Sequence, residues 1–232
     1  MDMQVHSTFS DGVNTVAENI EEAEALGLQA MTCVDHVRVD TTYLPDFVAT
    51  VRAAQATTSV RLLCAAEAKL LDDAGTLDMP DDLAGVDRVY AADHQVPWTD
   101  GPRHPEAVRA DLEAEIVTER EVLEHIVTST ANAVLRYDDV VIAHLFSVLP
   151  KLGIREEDVP MELIERLADA ALEGGAIMEI DERWSCPSAR TVRPFVDRGI
   201  ELLISTDAHR REHIGRYDHV TAALRELADP TA

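Results

Sequence analysis

The stretch Asp2-Met3-Gln4-Val5-His6-Ser7-Thr8-Phe9-Ser10-Asp11-Gly12 decides how the rest of the chain is read. A short apolar start runs straight into a polar, turn-forming segment that holds an imidazole and a carboxylate. Read as a strand, Met1–Val5 puts Gln4 and His6 on one face, because alternate strand residues point the same way. Asp11-Gly12 then closes a loop that enters a helix. A strand end with His6 and a loop with Asp11 can collect a metal ion, and the same residues also make an ordinary first strand with a polar turn.

Working outward, the same arrangement recurs. Asn14–Leu26 has Val16, Ile20, Ala23 and Leu26 at helical spacing and stops at Gly27. Strands are expected at 28–34, 60–66, 86–92, 140–143, 176–180 and 200–205, and helices at 44–56, 160–172, 189–198 and 217–227. About seven strand-then-helix units in alternation argue an α/β fold with a parallel sheet and helices packed outside it. Nearly every strand ends in a group that can bind metal: His6, His36, Glu67, His94, His144, Asp207 and His209. In a parallel α/β barrel such ends converge on one rim, where barrels of this kind keep their active sites. Scattered core or surface histidines would not fall in that order.

One segment departs from the rhythm. Pro97–Pro105 reads as a loop, and Glu106–Arg136 as one long charged helical stretch with a possible break at 128–130. A single domain over residues 1–232 with a helical insertion at about 99–137 is expected. The insertion is either a cap over the barrel mouth or a lengthened outer helix.

Composition bounds the function. The chain of 232 residues is 46% hydrophobic, as a globular domain is. It shows no signal-peptide pattern and no run of about 18 apolar residues, so a cytoplasmic protein without a membrane partner is expected. Cys33, Cys64 and Cys186 are widely spaced and read as buried free thiols. The formal charge of −24 opposes nucleic acid at long range. It also means that an anionic substrate needs a local cluster of cations. Lysine occurs only at Lys69 and Lys151; the other basic residues are arginines, which suit bidentate phosphate contacts.

Imidazoles and carboxylates without thiolates are a ligand set for zinc, manganese or iron. The donors are too many for one ion, and two or three ions bridged by carboxylate and water suit phosphoryl transfer.

At these residues the chain resembles the polymerase and histidinol phosphatase (PHP) family. The family's D-L-H-x-H-S-x-x-S-D-G opening is here DMQVHSTFSDG, its T-D-H motif is Thr32-Cys33-Val34-Asp35-His36, and its closing S-D-A-H is Ser205-Thr206-Asp207-Ala208-His209. Glu67, His94 and His144 fall between them in the family's order. The resemblance implies a distorted, TIM-like (β/α)7 barrel with a trinuclear metal centre that hydrolyses phosphate esters. It implies one site from the H-x-H pair with Glu67 and Asp207, a second from Glu67, His94 and His144, and a third from Asp11, His36 and His209. A metal-activated hydroxide would attack phosphorus in a small phosphomonoester, with Asp207 and His209 in the catalytic set and His209 or a metal-bound water protonating the leaving oxygen.

Gln4 breaks the pattern, because it stands where the family has the first histidine of H-x-H. An amide oxygen is a weak, neutral ligand. The first site either persists with altered metal preference, or is vacant in a two-metal enzyme, or belongs to a domain that has changed reaction or lost catalysis. Arg103, Arg183 and Arg210 are the candidate phosphate contacts, with Arg211 beside them and His104 next to Arg103. Asp35 and Asp93 each precede a ligand candidate; strand alternation turns them away from it, so they are either supports behind the ligands or simply structural. Hydrolysis of a bond other than a phosphate ester, and a degenerate binding domain, are the rival functions. Oligomeric state is not legible in the sequence.

Overall fold

The computed structural model describes residues 1–229. The first unit is strand β1 (Asp2–Val5) followed by helix α1 (Val16–Ala25). Thr15 starts α1 with a reciprocal cap: its hydroxyl accepts the Glu18 N–H, and the Glu18 carboxylate accepts the Thr15 N–H at 2.8 Å. The pattern repeats through β2 (Ala30–Val37), α2 (Leu44–Gln55), β3 (Arg61–Lys69) and β4 (Arg88–Ala92). A hairpin of β5 (Val96–Trp98) and β6 (Gly101–Arg103) follows, then α3 (Pro105–Glu113) and α4 (Glu119–Arg136). The remainder is β7 (Val140–Ala143), α5 (Leu149–Leu152), α6 (Met161–Gly174), β8 (Ile177–Asp181), α7 (Ala189–Asp197), β9 (Leu202–Ser205) and α8 (His219–Ala228).

Seven strands pair in the order β1-β2-β3-β4-β7-β8-β9, all parallel. The two edges meet just beyond the strands: the His6 N–H donates to Ala208 O at 2.9 Å, and the Ala208 N–H to Gln4 O at 3.2 Å. The result is a nearly closed, distorted TIM-like barrel. Its lower interior is filled by Met3, Val34, Ala65, Tyr90, Val141 and Leu203, while the larger apolar cluster lies between the outer face of the sheet and the helices. Strands buried on both faces read as continuous apolar runs, which is why they stand out in the sequence. A register irregularity in β1 between Asp2 and Val5 lets Met3 join the apolar interior while Gln4 is buried one level up.

The segment after β4 differs from the expected single helix. It is two helices, parted at 114–118, and α4 runs unbroken through 128–130. The break falls there because Thr118 and Glu121 form a second reciprocal cap and Glu115 takes a left-handed backbone (φ 56°). Helix α4 packs on α6 outside the barrel and buries Val122, Ile126, Val127, Ala133 and Val134. It is therefore the crossover from β4 to β7, as the outer-helix reading has it. From this segment, Pro105, Glu106 and Arg109 of α3 line a cavity together with His94 and Lys151. Cys33, Cys64 and Cys186 are buried free thiols. Among the described residues, no helix is long and apolar enough to cross a membrane.

Candidate metal centre

The loop from His6 to Asp11 is held by one carboxylate. Asp35, on β2, accepts the Ser7 N–H at 3.0 Å, the Ser7 hydroxyl at 2.5 Å, the Ser10 N–H at 3.2 Å and the Ser10 hydroxyl. Asn19 of α1 donates to His6 O at 2.8 Å. Gly12 closes the loop where no side chain fits, since a Cβ there would lie 2.6 Å from the backbone of His6 and Ser7. The serines of the opening motif thus tie β1 to β2 and aim His6 and Asp11 at the mouth.

Glu67 is the hub. Its Oε1 lies 3.0 Å from His94 Nε2 and 2.9 Å from His144 Nε2. Its Oε2 lies 3.2 Å from His6 Nε2 and 3.1 Å from His36 Nδ1. Asp11 Oδ1 sits 3.4 Å from His36 Nε2 and 3.2 Å from His209 Nε2, and Asp207 Oδ1 sits 3.0 Å from His6 Nε2. Ligand atoms of His6, Asp11, His36 and His209 gather within 4.8 Å of one another, as do those of His36, Glu67 and His94. All nine residues singled out from the strand ends and the opening loop, Gln4 included, therefore meet in one cluster. His144 and Asp207 hold left-handed backbone (φ 29° and 46°), a strained conformation for residues with side chains.

The electrostatics follow from packing acids among imidazoles in a buried place. Burial alone would lower the His36 pKa, but the Glu67 and Asp11 carboxylates raise it to about 9. Burial likewise opposes a charge on His6 and His144, yet carboxylates hold both well above the usual value: Asp207 and Glu67 for His6, Asp93 and Glu67 for His144. Glu67 is held well below its usual range against its own burial, chiefly by His36 and His94. Behind the cluster, burial and the neighbouring Asp207 push Asp181 up to about 7, and burial together with Asp181 raises Glu179. Glu179 also accepts the His144 N–H at 2.6 Å.

The donor set fits divalent cations. Carboxylate and imidazole atoms converge from several strands, and His6 Nδ1 and His144 Nδ1 are buried without a hydrogen-bond partner. Gln4 is the exception. Its Nε2 faces Glu67 Oε2 at 3.2 Å, Asp207 Oδ1 at 3.5 Å and His6 Nε2 at 3.4 Å, while its buried Oε1 has no partner. The amide N–H group occupies the side on which a cation would sit between these carboxylates. Turning the amide over would set oxygen against oxygen there unless a cation intervened.

Of the three candidate arginines, only Arg183 reaches the cluster. Its Nη1 lies 3.4 Å from Asp207 Oδ2 and contacts His209 Nδ1, and Trp184 Nε1 donates to Asp207 Oδ2 at 3.1 Å. Arg103 instead pairs with Asp100 at 3.3 Å and stacks on Trp98 at 4.3 Å, and Arg210 is exposed without a contact to the cluster. His104 caps α3 by accepting the Glu106 N–H at 3.3 Å.

Asp93 stands behind the cluster, the supporting one of its two sequence readings. It is buried, accepts the Ser147 hydroxyl at 2.7 Å and lies 3.7 Å from His144 Nδ1. Sequence reading missed the cations Arg38, Lys69 and Lys151, which line a cavity of about 620 Å³ above His36, Glu67 and His94. The signal was available for two of them: Arg38 and Lys69 each follow a ligand candidate by two residues in the sequence.

The model of the PHP domain matches residues 2–183. A probable phosphatase of Acetivibrio thermocellus is 26% identical over 241 residues, covering 99% of this chain and 88% of the relative. In fold, the chain is similar to the histidinol phosphate phosphatase of Lactococcus lactis, solved with zinc, L-histidinol and phosphate: the TM-score is 0.70 at 16% identity, covering 98% of this chain and 93% of that one. With the family model matched over most of its length and the barrel fold shared, the chain belongs to the PHP-domain family.

Proposed function

We propose that this protein is a metal-dependent phosphoesterase that hydrolyses a small phosphomonoester. The observation that carries the reading is Glu67, whose two oxygens each face two imidazoles at 2.9–3.2 Å and so divide the cluster into adjoining half-sites. His94 and His144 would hold one ion with Glu67; Asp11, His36 and His209 would hold another; His6 and Asp207, with Gln4, border a third position. Such ions, of manganese, zinc or iron, lower the pKa of water and neutralise phosphate oxygens.

The chain's own residues supply the rest. Arg183, 44% exposed at its side chain beside Asp207 and His209, is placed to take a non-bridging phosphate oxygen. His209 Nε2 faces Asp11, and its Nδ1 lies beside both Arg183 and Asp207 O, bonding one or the other according to tautomer; the Asp11 contact supports a ligand role. Asp207 accepts from Trp184 and His6 and fits a ligand role in the same way. The small-molecule class is supported by the L. lactis enzyme's complex with L-histidinol and phosphate, and by the net charge of −24, which disfavours a nucleic-acid substrate.

The test is phosphate release from a panel of phosphate esters by protein supplied with manganese, zinc or iron. Absence of turnover with every metal refutes the reading. A two-ion version of the centre is favoured by one observation, the Gln4 amide that faces Glu67 and Asp207 with its donor side. Elemental analysis after metal supplementation decides between two and three ions per chain.

A further inference from the structure

The cations at the mouth are arranged in a layer that the proposed chemistry does not use. On β2 and β3, His36 pairs with Glu67 and Val37 with Ala68. Lys69 lies two residues beyond Glu67 on β3, so strand alternation puts it on the ligand face, one step nearer solvent, and Arg38, directly after the end of β2, lines the same cavity. Lys151, on α5 after β7, enters the same cavity from another wall, with its Nζ 4.4 Å from the Trp184 ring. The only two lysines of the chain thus line one cavity, in a protein whose net charge is −24.

The charge around them is not balanced locally. Of the carboxylates in the cavity, Asp11 and Glu67 face imidazoles, and Asp78 pairs with Lys69 at 3.6 Å. Arg38 and Lys151 have no carboxylate partner among the described residues. Arg183 does not line this cavity. A volume of about 620 Å³ is that of a pocket for a whole small molecule. It continues into a second cavity of about 480 Å³ that shares His94, Gln95 and Lys151 with it.

Resting on the phosphoesterase reading, the geometry points to a second anion subsite formed by Arg38, Lys69 and Lys151. The substrate then carries two anionic groups: the phosphoryl group at the metal cluster beside Arg183, and a second phosphate or carboxylate held at the mouth. These three residues are specificity determinants, and the group they bind does not react.

The experiment compares kcat/KM for phosphate release from matched compounds: glycerol 3-phosphate against 3-phosphoglycerate for a second carboxylate, and fructose 6-phosphate against fructose 1,6-bisphosphate for a second phosphate. The expected result is a preference of about ten-fold for the doubly anionic member of at least one pair, the scale of one charge-assisted contact. In Lys69→Ala/Lys151→Ala the ratio within that pair falls toward one, and in Lys69→Arg/Lys151→Arg it is kept. Which pair responds identifies the second group. A wild-type ratio near one in both pairs overturns the subsite, as does a ratio that survives the double alanine change. If no ester is turned over, the phosphoesterase reading fails by itself. Titration calorimetry with the same compounds then decides the subsite separately: tighter binding of a doubly anionic compound by wild type than by the double alanine variant upholds it, and equal binding overturns it.

Discussion

Replacing Glu67 by glutamine changes one atom and probes the charge balance of the cluster. The carboxylate is fully buried and takes His94 and His144 on Oε1 and His6, His36 and the Gln4 amide on Oε2. A glutamine of the same shape must turn an N–H group toward one of these sets and removes the negative charge from both. In metal-free protein near pH 6 three of the imidazoles it faces, His6, His36 and His144, are held protonated, so the loss leaves buried positive charge uncompensated and costs about 3–5 kcal/mol. His36 sets the window for which the pKa has a value. Its folded value of about 9 lies above the ordinary 6.5, so its contribution to stability is complete below pH 6.5 and disappears as pH rises through 9. The penalty of Glu67→Gln should therefore be smaller above pH 9 than at pH 6, because the His36 part of the charge pairing is lost there. Urea unfolding of chelator-treated wild type and variant at pH 6 and pH 9.5 measures the difference. An equal penalty at both values would refute the charge pairing between Glu67 and His36. Elemental analysis of the metal-supplemented variant should find at least one ion fewer per chain.

Gln4→His should raise bound metal by up to one ion per chain, since imidazole replaces an amide that presents donors to Glu67 and Asp207; an unchanged count would mean that Gln4 does not limit that position. Asp35→Ala strands the Ser7 and Ser10 donors and should destabilise the protein by about 2–5 kcal/mol while weakening metal affinity through the displaced His6–Asp11 loop; a melting temperature within a degree of wild type would remove Asp35 from this role. Arg183→Ala should lower kcat/KM for phosphate esters about ten- to a hundred-fold with metal content unchanged, and a loss of metal instead would make it a support for Asp207 and His209. Gly12→Ala should reduce metal binding, because a Cβ 2.6 Å from the His6 and Ser7 backbone forces the loop open, and calorimetric metal affinity equal to wild type would contradict that contact.

The alternation of seven apolar runs with helices was legible in the chain itself, and so were seven of the nine clustered residues through the runs' polar ends, Asp11 through the opening loop and Gln4 through the family pattern. Local chemistry suffices for that: a strand buried on both faces is apolar along its length, and the barrel rim is where such strands end. The rest emerged with the folded barrel. The helical stretch splits at 114–118, where a cap at Thr118 outweighs continuous helical spacing. Arg183 parts from Arg103 and Arg210, which looked equivalent, because loop paths rather than strand positions set where an arginine's long side chain ends. Of the two readings open for Asp35 and Asp93, the fold selects support: of the His6 loop by Asp35 and of Ser147 beside His144 by Asp93. Lys151, distant in sequence, comes to the same cavity as Lys69. The donor side of the Gln4 amide is set against Glu67 and Asp207. The physical reason is common to these cases. Backbone periodicity is local and repeats along a chain, whereas the partner of a polar side chain is chosen by groups many residues away that only closure of the barrel brings within reach.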